Sequence, residues 1–402
     1  MGAALVSGAL DGAAAQQGGY RQAEWADKFD STLPQLAAVK STTPTLSPET
    51  ATAIEQAIAT YQQIVAQGGW QPVPTGGQKL RIGTRDPKVV DLRRRLMVTG
   101  DLQQTAGFSD TFDSYVDAGV RRFQLRHGLQ ADGVVNAQTI AAMNVPAEQR
   151  LAQLQLNLVR VRSMSGYLGD RFVMVNIPAA EIETVENGSV HSRHTAVVGK
   201  VDRQTPILTS KISVINFNPY WHVPISIIRK DLIPKMQKDP GYLERNKIRI
   251  YDSAGNELQA NQIDWNTQQA MQYQFRQDPG DLNSMGSVKI NFNNPYSVYM
   301  HDTPSKTLFG TDGRFHSSGC VRVQNVREVI VWLLKNTPGW DRNHVDAVIR
   351  SGERIDAPVK DQVPLYFAYI TAWANSDGVV HFVEDIYGRD SGSPTDQVAM
   401  QQ

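Results

Sequence analysis

Apolar residues recur at Ile54, Ile58, Tyr61 and Val65, spacings of four, three and four that place them on one face of a helix. Ser47-Pro48-Glu49 ahead of them supplies an N-cap, a first-turn proline and an acid that complements the helix dipole, and Gly68-Gly69 ends the run. A Pro- and Gly-rich linker covers 71–77. Three shorter helices are predicted between Arg81 and Pro146. One is entered at Asp86-Pro87 with Val89, Leu92 and Leu96 inward, one is marked by Val116, Val120 and Phe123, and one runs from Asn136 to Met143. Leu151, Leu154, Leu158 and Val161 form the stripe of a second long helix, Arg150 to Met164, which predicts packing against the Ile54 helix.

The period then changes to that of strands. Phe172 to Ile177 and Ile182 to Glu186 alternate or run apolar, and Asn187-Gly188 is a strong hairpin turn. The segment between Val223 and Ser287 is polar and Gln-rich and reads as helical pieces, Ile225 to Lys238 and Asn261 to Gln277. Ser297 to Met300 is a strand that delivers His301, and a helix follows from about Asn325 to Lys335. Val363 to Trp373 and Val379 to Val383, joined around Asp377-Gly378, read as a C-terminal hairpin that extends the sheet.

A chain of 402 residues exceeds one typical core, so two or three domains are expected. Forty basic and forty acidic residues cancel, which removes the electrostatic case for nucleic acid as partner and suits a neutral polymer or a zwitterionic peptide. No run of about eighteen apolar residues is present, so no membrane span is predicted. Met1 to Leu10 is short and apolar and Ala13-Ala14-Ala15-Gln16 suits a small-residue cleavage site, yet the basic start of a secretory signal is missing. A signal remnant and a disordered tail both fit.

Cys320 is the single cysteine. It cannot form an intramolecular disulfide or a cysteine-rich zinc site, which leaves a buried bystander or a nucleophile. Gly319 beside it permits close approach to the backbone, Arg322 carries a permanent charge, and His301 is a base that folding can bring near. His316, four residues before the thiol, is the rival base. Asp302 neighbours His301, but adjacent strand residues face opposite ways, which points to a backbone carbonyl as the group orienting the imidazole. His191 and His194 lack ligand spacing, no metal site is expected, and His127 ahead of Gly128 reads as a helix C-terminal residue.

His301-Asp302-Thr303-Pro304-Ser305 and Ser317-Ser318-Gly319-Cys320-Val321-Arg322, with eighteen residues between His301 and Cys320, resemble the signature of the L,D-transpeptidases that cross-link bacterial peptidoglycan. Asn218-Pro219-Tyr220-Trp221-His222-Val223-Pro224, Lys230 to Lys235 and Asp239 to Leu243 resemble the block ahead of that family's active-site lid. Val173 to Pro178 and Val198-Gly199-Lys200 are similar to its opening strands. Many members carry His where this chain has Ser318, while the branch with H-D-T-P usually has Ser. Phe123-Gln124, His127-Gly128-Leu129, Asp132 to Val135 and Thr139 resemble a small peptidoglycan-binding module, with Asn136 in place of a family Gly.

The resemblance implies a thioester on Cys320 as nucleophile, with His301 as general base and acid. It implies the backbone N–H groups around Gly319 and Cys320 as oxyanion donors, loop roles for Ser318 and Arg322, Arg322 either holding a substrate carboxylate or fixing the loop, and contact of Tyr299 with base or substrate. No cofactor is implied. The partners are peptidoglycan stem peptides, a tetrapeptide donor and a diaminopimelate amine acceptor, which places the protein in the periplasm; oligomeric state stays open. Water as acceptor gives an L,D-carboxypeptidase, a lipoprotein Lys gives wall attachment, and loss of activity gives a non-catalytic peptidoglycan-binding protein.

The predicted fold is α+β and multidomain: a β-rich catalytic domain with a helical lid insertion, a helical scaffold and a three-helix binding module. The predicted division is 1–20 a disordered tail or signal remnant, 21–80 and 147–170 the two parts of the scaffold, and 81–146 the module. The catalytic domain is 171–350 with a lid at about 225–286, followed by 351–388 as a C-terminal hairpin extension and 389–402 as a disordered tail.

Overall fold

The computed structural model describes residues 41–74, 76, 79–311 and 313–391. The tail expected at 1–20, scaffold residues 21–40 and most of the tail expected at 389–402 lie outside the described residues. The start of the last is corrected: Asp390 pairs with Arg160 at 2.7 Å and Arg389 O accepts from Arg160 at 2.7 Å, so the ordered chain runs past 389. Helix α1 (Pro48–Ala66) starts where Ser47 Oγ accepts the Thr50 N–H at 3.1 Å. Between it and the second long helix stand α2 (Lys88–Val98), α3 (Ser114–Arg126) and α4 (Ala137–Met143). Helix α5 (Ala147–Met164) then packs against α1, and Ile54, Tyr61, Leu154 and Val161 share one core. That is the pairing the two apolar stripes predict.

The three short helices close around Leu92, Leu96, Val116, Val120 and Phe123. Gln124 explains much of the motif after Phe123. It is buried, donates to Asp132 Oδ1 (2.9 Å) and Val134 O (3.0 Å), and accepts the Gly133 N–H (2.9 Å), so it knots the turn that follows α3. Asn136 Oδ1 caps α4 by accepting the Thr139 N–H at 2.9 Å. His127 sits at the end of α3, its Nδ1 2.8 Å from the Phe123 carbonyl and its ring stacked between Phe123 and Phe382. Arg126 pairs with buried Asp101 at 2.6 and 2.7 Å and donates to Val380 O at 3.0 Å, which fastens the module to the rest of the chain.

The larger domain is built on β1 (Arg171–Asn176), β2 (Glu181–Glu186), β3 (Ser189–Gly199) and β4 (Leu208–Phe217). Val173 and Val175 point into one core while Phe172 and Met174 point into the core shared with α1 and α5. Burial on both faces is why β1 reads as a continuous apolar run.

The segment expected as the lid is preceded by β5 (Trp221–His222) and begins with a helical run from Ile225 that passes through a π-turn at Ile228–Leu232 into α6 (Ile233–Lys238). Next come α7 (Tyr242–Arg245), β6 (Ile248–Tyr251), β7 (Glu257–Leu258) and β8 (Gln274–Gln277). The order β5-β8-β6-β7 makes a four-stranded sheet, so the lid is not purely helical. Residues 261–277, expected as a helix, hold two short 3₁₀ turns and β8. Glutamine favours helices, but pairing of Phe275 with Ile250 and burial among Ile228, Leu232 and Met236 outweigh that local preference.

The remaining elements are β9 (Val288–Phe292), β10 (Met300–His301), β11 (Phe315–Ser317), β12 (Val321–Val323), α8 (Val326–Leu334), α9 (Arg342–Ser351), β13 (Ile355–Ala368), β14 (Ala372–Ala374) and β15 (Val380–Phe382). The strand order is β11-β3-β12-β10-β9-β4-β13-β1-β2, and β2 also pairs with β3, which closes the sheet on itself. The expectation of a C-terminal extension at 351–388 is corrected here. β13 lies inside the sheet, antiparallel to β4 and parallel to β1, so a boundary at 350 cuts through the domain. Local alternation identifies a strand but carries no information about its partner. The Asp377-Gly378 turn belongs instead to the separate β14–β15 hairpin, whose Ala372, Ala374 and Phe382 join the core of α1 and α5.

Candidate active site

The sheet places a row of polar side chains beside the thiol. Register pairs His301 of β10 with Arg322 of β12 on one side and Lys289 of β9 on the other, and Lys289 with Asn216 of β4. Residues in cross-strand register share a face, so the imidazole stands between two cations. Tyr299 adds its ring at 5.8 Å from that of His301, and the Lys289 ammonium lies 4.4 Å from the Tyr299 ring centroid.

Cys320 is half-buried on the loop between β11 and β12. Gly319 has φ +114°, a conformation costly for any residue with a Cβ, whereas the space around it is ordinary. Its N–H donates to Ser317 Oγ at 3.1 Å, and Ser317 Oγ donates to Cys320 O at 2.6 Å. The Gly319 amide is therefore engaged within the loop, which corrects the expectation of an oxyanion donor there. Among the described hydrogen bonds none uses the Cys320 N–H. Gly319 O accepts from Thr205 Oγ1 at 2.9 Å, and Thr205 Oγ1 also accepts the Gly199 N–H at 2.9 Å, so the turn after β3 braces the cysteine loop.

Burial pushes the Cys320 thiol up to about 11 against the opposing effects of Tyr299, Lys289 and Arg322. Burial, then the charge of Arg322, holds the His301 imidazole down to about 3 despite its bond to Asp302 O. Both groups are neutral near pH 7. His301 Nδ1 lies on the Asp302 main-chain carbonyl. A carbonyl only accepts, so Nδ1 carries the proton and Nε2 is left as the base. The Tyr299 hydroxyl contacts both the Cys320 sulfur and the Trp221 indole, and burial drives its own titration far upward.

Asp302 turns away from the thiol. Its carboxylate accepts from Ser287 N (3.0 Å) and Ser287 Oγ (2.8 Å) and pairs with Lys306, which ties the lid's returning strand to β10. Gly286 there has φ +60°, and a Cβ would lie 2.5 Å from Asp302 Oδ2. His316 is exposed on β11. Among the described residues no group of His, Cys, Asp and Glu is placed to hold a metal ion, and no helix is long and apolar enough to cross a membrane.

Residues 170–346 match the model of the L,D-transpeptidase catalytic domain. That segment, which contains both His301 and Cys320, is similar to an L,D-transpeptidase catalytic domain. Residues 85–143 match the model described as "Putative peptidoglycan binding domain". A relative named "Putative L,D-transpeptidase" from Haemophilus influenzae is 34% identical over 239 residues, 59% of this chain and 48% of the relative. The match thus spans about half the length of that curated relative. The L,D-transpeptidase of Xylanimonas cellulosilytica aligns at 15% identity over 73% of this chain and 99% of its own, with a TM-score of 0.22. That of Mycobacterium smegmatis aligns at 15% over 49% and 58%, with a TM-score of 0.24. Superpositions this loose have no bearing on the site.

The matched segment contains three residues near the cysteine loop that lie outside the two motifs. Lys289 lies in an alternating strand, V-K-I-N-F, where a cation between apolar neighbours was a readable signal. Trp221 lies within 218–224, where the sequence pattern assigns its indole no role. Arg203 follows β3 and reaches both Asp231 in the lid and Ser318 Oγ beside the nucleophile candidate. Nothing in its local pattern announces that reach.

Proposed function

We propose that Cys320 attacks the carbonyl between the third residue and the terminal D-Ala of a tetrapeptide stem, and that the thioester passes to the side-chain amine of diaminopimelate on a neighbouring stem. What supports this reading is the sheet register that sets His301 between Arg322 and Lys289, with Tyr299 beside it and Cys320 on the adjoining loop, in a segment that matches the L,D-transpeptidase catalytic domain. As sulfur bonds to the carbonyl carbon, its proton moves to His301 Nε2. The Cys320 N–H is the backbone donor left for the developing oxyanion, with the Lys289 and Arg322 charges beside it. His301 then gives its proton to the departing D-Ala amine, leaving the thioester. Deprotonation of the acceptor amine and its attack on that carbonyl form the new amide and restore the thiol. Binding of the wall by 85–143 and action in the periplasm belong to the same proposal.

The test is intact mass of the protein after incubation with a disaccharide-tetrapeptide, with analysis of the muropeptide products. The expected result is an acyl-enzyme, released D-Ala and a dimer joined through third residues, all lost in Cys320→Ala. Tripeptide without dimer would replace transpeptidation by hydrolysis. Neither acylation nor product from a folded protein would overturn the enzymatic reading.

A further inference from the structure

Lys289 and Arg322 near the thiol, and Arg276 and Arg354 at the Tyr220 ring, are cations without carboxylate partners. Lys289, Arg322, Arg276 and Arg354 form no ion pair among the described residues, although other arginines and lysines of the chain do so repeatedly. Arg276 of β8 stands opposite His222 of β5, its guanidinium 4.3 Å from the Tyr220 ring centroid and 4.6 Å from that of Tyr251. Arg354 covers the same Tyr220 ring at 4.4 Å. His222 links this pair to the thiol: burial first, then the charges of Arg276, Lys289 and Arg354, hold its imidazole below the ordinary range. The carboxylate whose charge is felt at Lys289, that of Asp356, is already bonded to Asn216 Nδ2 at 2.6 Å.

Lys289 and Arg276 are half-buried and Arg354 is exposed; cations steadied by aromatic faces and lacking counter-ions make a preformed anion site. We propose that Lys289, Arg276 and Arg354 form a track for the carboxylates of the donor peptide, and that Lys289 holds the α-carboxylate of the residue expelled. The assignment to Lys289 follows from reach. Its charge is felt at both Cys320 and His301, and the α-carboxylate of a C-terminal residue is only two bonds of about 1.5 Å from the scissile nitrogen. Lys289 therefore selects donors whose scissile residue ends the chain. This deepens the proposed function and rests on it.

The test compares acylation of the full-length protein by a tetrapeptide with a free C-terminus and by its C-terminal amide, in wild type, Lys289→Gln and Lys289→Arg. Binding of both peptides to Cys320→Ala, with and without Lys289→Gln, is measured by calorimetry. The wild type is expected to favour the acid by about 10- to 100-fold in kcat/KM, the range for a hydrogen bond to a charged group. Lys289→Gln should reduce that ratio to near one in both acylation and binding, and Lys289→Arg should restore part of it. An acid preference that survives Lys289→Gln, with both rates lowered together, would show that the ammonium acts on the thiol or imidazole and would overturn the inference alone. Equal handling of acid and amide by the wild type would also overturn it. Absence of acylation and of binding for either peptide would instead defeat the reading of the whole site.

Discussion

Arg203 and Asp231 form a two-pronged ion pair, Nη1 to Oδ2 at 2.5 Å and Nη2 to Oδ1 at 3.1 Å, and the same Nη1 donates to Ser318 Oγ at 2.8 Å. One guanidinium thus joins the lid to the loop that carries Cys320. The hydroxyl of Ser318 is its acceptor, which connects the cysteine loop to the segment that holds Asp231.

Arg203→Ala is expected to loosen this closure with little loss of fold stability, about 1 kcal/mol or less, because the pair is partly solvated. Faster proteolysis within 225–286 and a higher ratio of hydrolysed to cross-linked product are the readouts. An unchanged ratio with unchanged proteolysis would show that the lid closes without the pair.

A neutral resting thiol predicts a distinctive alkylation profile. With Cys320 near 11, iodoacetamide labelling of the free protein should rise about tenfold per pH unit from pH 6 to pH 9, since only the thiolate reacts. A thiolate–imidazolium pair would give a plateau across that range, and a plateau would sink the neutral-pair mechanism.

Tyr299→Phe removes the hydroxyl that favours the thiolate. The thiol should titrate still higher, and acylation should slow by roughly 10- to 100-fold while the fold is kept. Stopped-flow acylation with thermal melting separates the two effects.

Asp302 anchors the lid's return. Burial alone raises its titration, but Lys306, the Ser287 N–H and the Thr303 N–H outweigh it and leave the carboxyl below its ordinary value. The sign follows: this stabilisation is fully present above the unfolded value and is lost as pH falls through the lowered native one. Asp302→Asn should flatten that acid limb of the stability curve. Gly286→Ala, which meets both a left-handed backbone and Asp302 Oδ2, should cost about 1 to 3 kcal/mol and lower activity with it. Chemical denaturation at pH 7 and pH 3 checks both.

Arg126 and Asp101 hold the binding module through a buried pair and the bond to Val380 O. Arg126→Ala leaves an unpaired buried carboxylate, so a loss of about 3 to 5 kcal/mol is expected. A loss below about 1 kcal/mol would mean that water enters the site and solvates Asp101.

What the residues determined alone is what short-range physics encodes. Stripes at helical spacing located the helices of Ile54, Val89, Val116 and Leu151, and period-two alternation located β1 and β2, because both depend on neighbours a few positions apart. The two motifs singled out His301 and Cys320, and the strand argument put a main-chain carbonyl on the imidazole, where Asp302 O lies. Only the tertiary structure decided which strands lie side by side. Pairing across dozens of residues sets β13 in the middle of the sheet, brings Lys289 and Arg322 to either side of His301, and turns Trp221 toward Tyr299. The titration shifts of Cys320 and His301 arise from that pairing and the burial it creates, neither of which exists in the unfolded chain.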